Sequence, residues 1–192
     1  MSDALLSVAF RMSTFRLGVT MSEAFAIRRA TEADAPELLA IYRPFVESTP
    51  VSFETIAPSA EDFATRIAGA LSGWQWLVAE YNGQCIGYAY GSSHRERAAY
   101  RWSVDVAVYV QPANHRQGVG RSLYQQLLED LAEKGYCNAF AGVTLPNEAS
   151  LALHRSFSFE TVGVYKSVGR KFGKWHDVMW LQRVLRASPP LE

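Results

Sequence analysis

Val104-Asp105-Val106-Ala107-Val108-Tyr109-Val110 runs into Gln111-Pro112 and then into His115-Arg116-Gln117-Gly118-Val119-Gly120-Arg121. The four valines alternate with Asp105, Ala107 and Tyr109, which is the pattern of a strand with one apolar face. Gln111-Pro112 ends it. Beyond the glycines, Leu123, Leu127 and Leu131 recur every fourth residue with Tyr124 and Leu128 beside them, so a helix with one apolar face follows. Gly135 is the expected C-cap of that helix.

A strand, a Gly-x-Gly turn and a helix form a geometry suited to phosphate. Glycine lets backbone N–H groups crowd an anion, and the helix N-terminus adds partial positive charge. Arg116 and Arg121 would neutralise more of it. An ordinary tight turn before a helix has the same pattern. Two nucleotide motifs are excluded: the third glycine of G-x-G-x-x-G would fall on Leu123, and G-x-x-x-x-G-K-[ST] does not occur. Asp105 adds weight to a functional reading. A carboxylate in the middle of a valine-rich strand is costly to bury without a partner or a task, although an Asp on a solvated strand face is common.

The chain has 192 residues, enough for one domain with one sizeable core. Apolar residues make up 48% and charged residues 20%, as in a soluble globular chain. The formal net charge of zero gives no electrostatic footprint for nucleic acid. No apolar run approaches a membrane span. Cys85 and Cys137 lie in apolar, strand-like runs without a CxxC, so they read as buried thiols of a reducing compartment, the cytoplasm. The four histidines, His94, His115, His154 and His176, are far apart and lack ligand spacing, so no metal site is expected.

Residues 1–22 differ from the rest: a short apolar run broken by Arg11 and Arg16, with a second plausible start at Met21. They are expected to be a flexible extension. A first strand follows at Phe25–Ala30. Thr31 to Asp34 reads as a capping box that opens a helix, which Pro44 should kink or end. Ser59 to Asp62 opens a second helix, stopped by Gly73. Trp74–Tyr81 and Gln84–Gly91 form a hairpin about Asn82-Gly83. After the central strand and helix come a strand at Tyr136–Thr144, a short helix at Glu148–Phe157, and strands at Phe159–Gly169 and Trp175–Val184. The last two are joined by a turn over residues 170–174. Residues 187–192 form a tail. The order is β-α-α-β-β-β-α-β-α-β-β, an α/β single domain over residues 23–186.

That order, with Gly-x-Gly after the fourth strand, resembles the GNAT acyltransferase fold over residues 25–185. Ile27-Arg-Arg-Ala-Thr-Glu-Ala-Asp34, Trp76-Leu-Val-Ala-Glu80, Ala99-Tyr-Arg-Trp102, Val108-Tyr-Val110, Leu145-Pro-Asn147 and Lys174-Trp-His-Asp-Val178 resemble the phosphinothricin and methionine sulfoximine N-acetyltransferases of that family. The resemblance implies a mixed, mostly antiparallel central sheet flanked by helices, and a homodimer. It implies transfer of acetyl from acetyl-CoA to the α-amine of a small amino-acid analogue, directly within a ternary complex. It places acetyl-CoA on Ala107, Val108, Tyr109 and Val110, on the turn His115, Arg116, Gln117, Gly118, Val119, Gly120 and Arg121, and on Asn147. It places the acceptor against Phe53, Arg97 and Tyr100.

Three positions depart from the family pattern. His115 stands where the family has Arg or Gln, Phe157-Ser-Phe159 replaces Leu-Gly-Phe, and Asp105 replaces a glutamate. An amine attacks a thioester only when neutral, so a base is needed and Asp105 is the candidate. Its side chain is one methylene shorter, so a bridging water is expected to span the gap. Backbone N–H groups along Val106–Val110 would stabilise the oxyanion. His154 takes the family's place for a donor to the leaving thiolate, although a core histidine reads the same way. Two alternatives stay open: a GNAT enzyme for another amine, such as a polyamine or a protein N-terminus, and a non-catalytic acyl-CoA-binding module.

Overall fold

The computed structural model describes residues 25–190. Seven strands form one sheet: β1 (Ala26–Arg29), β2 (Trp76–Tyr81), β3 (Gln84–Ser93), β4 (Ser103–Val110), β5 (Asn138–Thr144), β6 (Glu160–Lys171) and β7 (Lys174–Val184). Their spatial order is β1-β2-β3-β4-β5-β7-β6. All neighbours are antiparallel except β4 and β5. Four helices cover the sheet: α1 (Ala35–Ser48), α2 (Ala60–Gly73), α3 (Val119–Glu133) and α4 (Glu148–Ser156). The expected α/β order and mixed sheet are what the chain forms.

Alternation along the strands divides the core. Val104 and Val106 of β4, with Leu77, Ala79 and Ile86, pack under Leu123, Leu127 and Leu131 of α3 and Leu151 of α4. Trp76, Val78 and Tyr88 point the other way, to Leu38, Tyr42 and Val46 of α1 and Phe63 and Ile67 of α2. Tyr109 joins that second layer, its ring 5.1 Å from both Tyr42 and Phe45. The three α3 leucines have no exposure. Burial on this scale contributes roughly 1.5–3 kcal/mol per side chain.

The local signals act as their chemistry demands. Both capping boxes form, Thr31 with Asp34 and Ser59 with Asp62. Asn82 and Gly83 take positive φ in the β2–β3 turn, and Gly135 does so after α3. Pro44, expected to kink or end α1, does not end it, and the helix continues to Ser48. The carbonyl that loses its N–H partner belongs to Ala40, on the exposed side, while Tyr42 and Val46 hold the opposite side in the core. The β6–β7 turn is not five residues but Phe172-Gly173, both at positive φ, so the strands extend to Lys171 and from Lys174. The expected extension at residues 1–22 lies outside the described residues. Residues 187–190 form no helix or strand.

Candidate active site

The site begins where two strands part. β4 pairs with β5 at Ser103, Val104 and Asp105 only. Beyond Asp105 the β5-side edge of Val106–Val110 has no strand partner, and a cleft of about 560 Å³ opens there. Val108, Tyr109 and Val110 form one wall. The turn and the first residues of α3 form its end, and Asn147, Ser150 and Leu153 of α4 form the other side.

The turn is shaped for an anion. Gly118 caps α3 in the left-handed region, φ 84°, and a side chain there would meet nothing within 4 Å. The N–H groups of Val119, Gly120 and Arg121 precede the helix's first backbone bond, which Ser122 donates to Gly118. Arg116, His115, Gly120 and Arg121 line the same end. His115 Nε2 lies 3.0 Å from the carbonyl oxygen of Val110, so its ring ties the turn back to β4. Arg121 donates to Ser156 Oγ and lies over the Phe157 ring, 5.3 Å from its centre. Gln117 donates to Ala113 and, like Ala107, is not part of the cleft wall. Asn147 caps α4 by accepting from Ser150 N at 3.1 Å, and it also lines the cleft.

Asp105 sits at the fork. Burial pushes its carboxyl above the ordinary value, against a pull downward from a hydrogen bond to His94 and the charge of Arg95. His94 Nδ1 is 2.6 Å from Asp105 Oδ1. Sequence reasoning missed this partner. The β3–β4 register, Ser92 opposite Asp105, puts His94 there, but register cannot be counted across the connection at residues 94–102. Sequence reasoning also missed an aromatic pocket of about 380 Å³ on the Asp105 side of the sheet. It is walled by Tyr42, Phe63, Trp76, Tyr88 and Tyr90, with Ser92 at the edge beside Asp105. Arg66 at this pocket is paired with Glu54 at 2.6 Å.

The other sequence candidates spread out. Tyr100, 42% exposed, presents an edge contact to His94 with ring centres 5.9 Å apart. Phe53, 39% exposed, lies over Gly169 of β6, with its ring 6.3 Å from His176. Arg97 is exposed on the loop before β4. His154 is not brought to the cleft. It is 4% exposed, Nδ1 lies 2.7 Å from Ser150 O, and Nε2 lies 2.8 Å from Tyr124 OH. Burial pushes its imidazolium down, so the neutral ring is favoured. Two filled nitrogens make it a strut between α4 and α3.

The family model described as an acetyltransferase (GNAT) domain matches residues 27–180. The chain belongs to the GNAT acetyltransferases. This GNAT enzyme is 38% identical over 176 residues to the phosphinothricin N-acetyltransferase of Alcaligenes faecalis, covering 90% of this chain and 89% of the relative. Among solved structures, a GNAT-superfamily phosphinothricin acetyltransferase from Sinorhizobium meliloti in complex with acetyl-CoA is 32% identical with a TM-score of 0.83, over 86% of this chain and 93% of that one. A ribosomal-protein-alanine N-acetyltransferase from Brucella melitensis is 39% identical with a TM-score of 0.80, over 83% and 99%. The GNAT chain here is an acetyl-CoA-dependent N-acetyltransferase. Its open turn, free N–H groups and nearby arginines fit the pyrophosphate of acetyl-CoA. No helix among the described residues is long and apolar enough to cross a membrane.

Proposed function

We propose that this enzyme acetylates the α-amine of a small amino acid or analogue, of the phosphinothricin or methionine sulfoximine kind, by direct transfer within a ternary complex. The observation that carries the reading is the position of Asp105. The β4–β5 fork starts at this carboxylate, and farther along the same strand Val108, Tyr109 and Val110 line the cleft that leads to the α3 N-terminus. This supports a base at Asp105 and a phosphate cradle beyond Val110 on one strand.

Acetyl-CoA supplies the activated acetyl thioester. The turn and the free N–H groups of Val119, Gly120 and Arg121 hold its phosphates, with Arg116 adding charge. The unpaired edge of Val106–Val110 offers N–H groups to the oxyanion. Asp105 supplies the negative charge that draws the proton from the amine. The leaving thiolate takes its proton from solvent in the cleft, since His154 is committed to Ser150 and Tyr124. The aromatic pocket beside Asp105 has the size and lining for an amino-acid side chain, and Tyr100 borders the same side. Arg97 on the adjoining loop is the proposed partner for the carboxylate. Phe53 encloses the acceptor from the α1–α2 loop.

Val162, Tyr165 and Val168 of β6, Phe172 in the turn and Trp175 of β7 are each at least 50% exposed. An apolar hairpin at a sheet edge supports the homodimer that the family resemblance implies. The free, buried thiols of Cys85 and Cys137 fit a reducing compartment, and the cytoplasm is the proposed location.

A thiol-detecting assay with acetyl-CoA and a panel of amines tests the function. Turnover on phosphinothricin or methionine sulfoximine, and not on a polyamine, is the expected result. The name of the Brucella structure supports a second reading, acetylation of an N-terminal alanine. An alanyl-started peptide that outcompetes every free amino acid would favour it. No turnover on any amine would leave a binding module.

A further inference from the structure

The Asp105 carboxylate has a partner whose second nitrogen is unused. His94 directly follows β3, and its ring is fixed on several sides. It stacks on Phe140 with centres 4.2 Å and planes 14° apart, and it meets Tyr100 and Trp180 near edge-on at 5.9 and 6.2 Å. Its Nδ1 is held to Asp105 at 2.6 Å. Nε2 makes no hydrogen bond among the described residues, yet it is not sealed from solvent. The side chain is 12% exposed.

An ionised carboxylate can only accept, so the nitrogen facing it carries the hydrogen. A neutral imidazole protonated at Nδ1 keeps its lone pair at Nε2. The carboxylate thereby sets the tautomer and orients the ring. The other groups facing the pair are few. Arg95, on the same loop, draws Asp105 toward its charged form and lies over Trp180 at 5.7 Å. Tyr100 contributes a phenol edge, while β5 and β7 present the uncharged Phe140 and Trp180.

We propose that Nε2 of His94 is the atom that takes the proton of the attacking amine, with Asp105 holding Nδ1–H from behind. The proposal rests on the acetyl-transfer reading above. The substrate ammonium first loses one proton to solvent. Its nitrogen then forms the C–N bond to the acetyl carbon and passes its second proton to Nε2. The C–S bond breaks with its electron pair on sulfur, and the thiolate is protonated to free CoA. The imidazolium then returns its proton to solvent. The imidazole lengthens the reach of a carboxylate that is one methylene shorter than the family's glutamate.

His94→Asn tests this directly, because its amide can still donate to Asp105 but offers no base. Turnover is expected to fall by about 10²–10⁴-fold with acetyl-CoA affinity unchanged, and the acidic limb of the pH–rate profile should vanish. His94→Ala should regain turnover in added imidazole, faster with more basic imidazoles. Wild-type turnover and pH profile in His94→Asn would overturn the proposal. So would failure of imidazole to rescue His94→Ala while Asp105→Asn alone removes the acidic limb, since the carboxylate would then be the base. Nitrogen NMR of histidine-labelled wild type needs no substrate. It should show Nδ1 as the protonated nitrogen of the neutral ring, and the opposite tautomer refutes the dyad. A wild type that acetylates no amine refutes the acetyl-transfer reading and this step with it, while the nitrogen spectrum still decides the tautomer.

Discussion

Gly118 and Gly120 separate two demands that the phosphate turn makes on its backbone. At Gly118 the demand is conformational. The residue sits at φ 84° and ψ −8°, and a Cβ there would touch nothing. Gly118→Ala therefore meets no clash, and its cost is the left-handed backbone of an L-residue, roughly 1–2 kcal/mol. At Gly120 the demand is spatial. A Cβ would lie 3.5 Å from Val110 and 4.0 Å from both Leu153 and Val108, which is ordinary contact. Gly120→Ala should therefore keep its stability, or gain up to about 1 kcal/mol from a better helix former. All three neighbours line the cleft, however, so any longer side chain grows into the wall that faces the ligand. Gly120→Asp places a carboxylate where a phosphate is expected. Two unit charges about 5 Å apart at an effective dielectric near 20 repel by roughly 3 kcal/mol, a little over a hundredfold in affinity. Urea unfolding reads the first effect and titration calorimetry with CoA the second. A folded Gly120→Asp variant that binds CoA like the wild type would show that the phosphates sit elsewhere.

Acid stability should depend on Asp34. Arg28 donates to both its oxygens at 2.9 and 2.7 Å and holds the carboxyl down from 3.8 to about 2. The folded value is the lower one, so this stability is complete above about pH 4 and is lost as pH falls toward 2. Asp34→Asn is expected to cost about 2 kcal/mol at neutral pH and to flatten that acid decline in urea midpoints. Lys171 donates to the carbonyls of Val46 and Ser52 at 2.5 and 2.7 Å from a buried position. Lys171→Met strands both acceptors at roughly 2–5 kcal/mol together and frees the loop carrying Phe53, so KM for the amine should rise more than kcat falls; equal changes would detach that loop from acceptor binding. A chain beginning at Met21 is expected to keep its melting temperature and turnover, and a large loss of either would show that the residues before it pack on the domain.

Much of the fold was legible because local chemistry dictated it. The β4 valines, the α3 leucines, both capping boxes and the Asn82-Gly83 turn each carry their own geometry. Pro44 left a kink or an end open because its consequence depends on what surrounds the helix: the lost bond faces solvent and the packed side holds. The β6–β7 turn was drawn too wide because a phenylalanine at φ 50° is a poor turn signal, and only the glycine beside it points to a tight hairpin. The phosphate turn could be read from its glycines. His94 could not, because its contact with Asp105 depends on strand register. His154 occupied the right sequence position for a donor, yet burial against Tyr124 turns both nitrogens inward.

The fork itself was the hardest feature to foresee, since it consists of hydrogen bonds that are not made. Nothing in the residues of β4 stops pairing at Asp105, for the alternation continues unbroken to Val110. Packed against the stretch beyond it are the first turn of α3 and Leu153 of α4, which come together with Val108 and Val110 around Gly120. A methyl group at this contact would fit, but a longer side chain would grow into the cleft wall. At this glycine the α3 N-terminus lies against Val108 and Val110 of β4, and its first residues line the cleft. The edge that could stabilise an oxyanion and the helix end that could hold phosphate therefore meet at one contact, five residues beyond the carboxylate, where β4 reaches Val110.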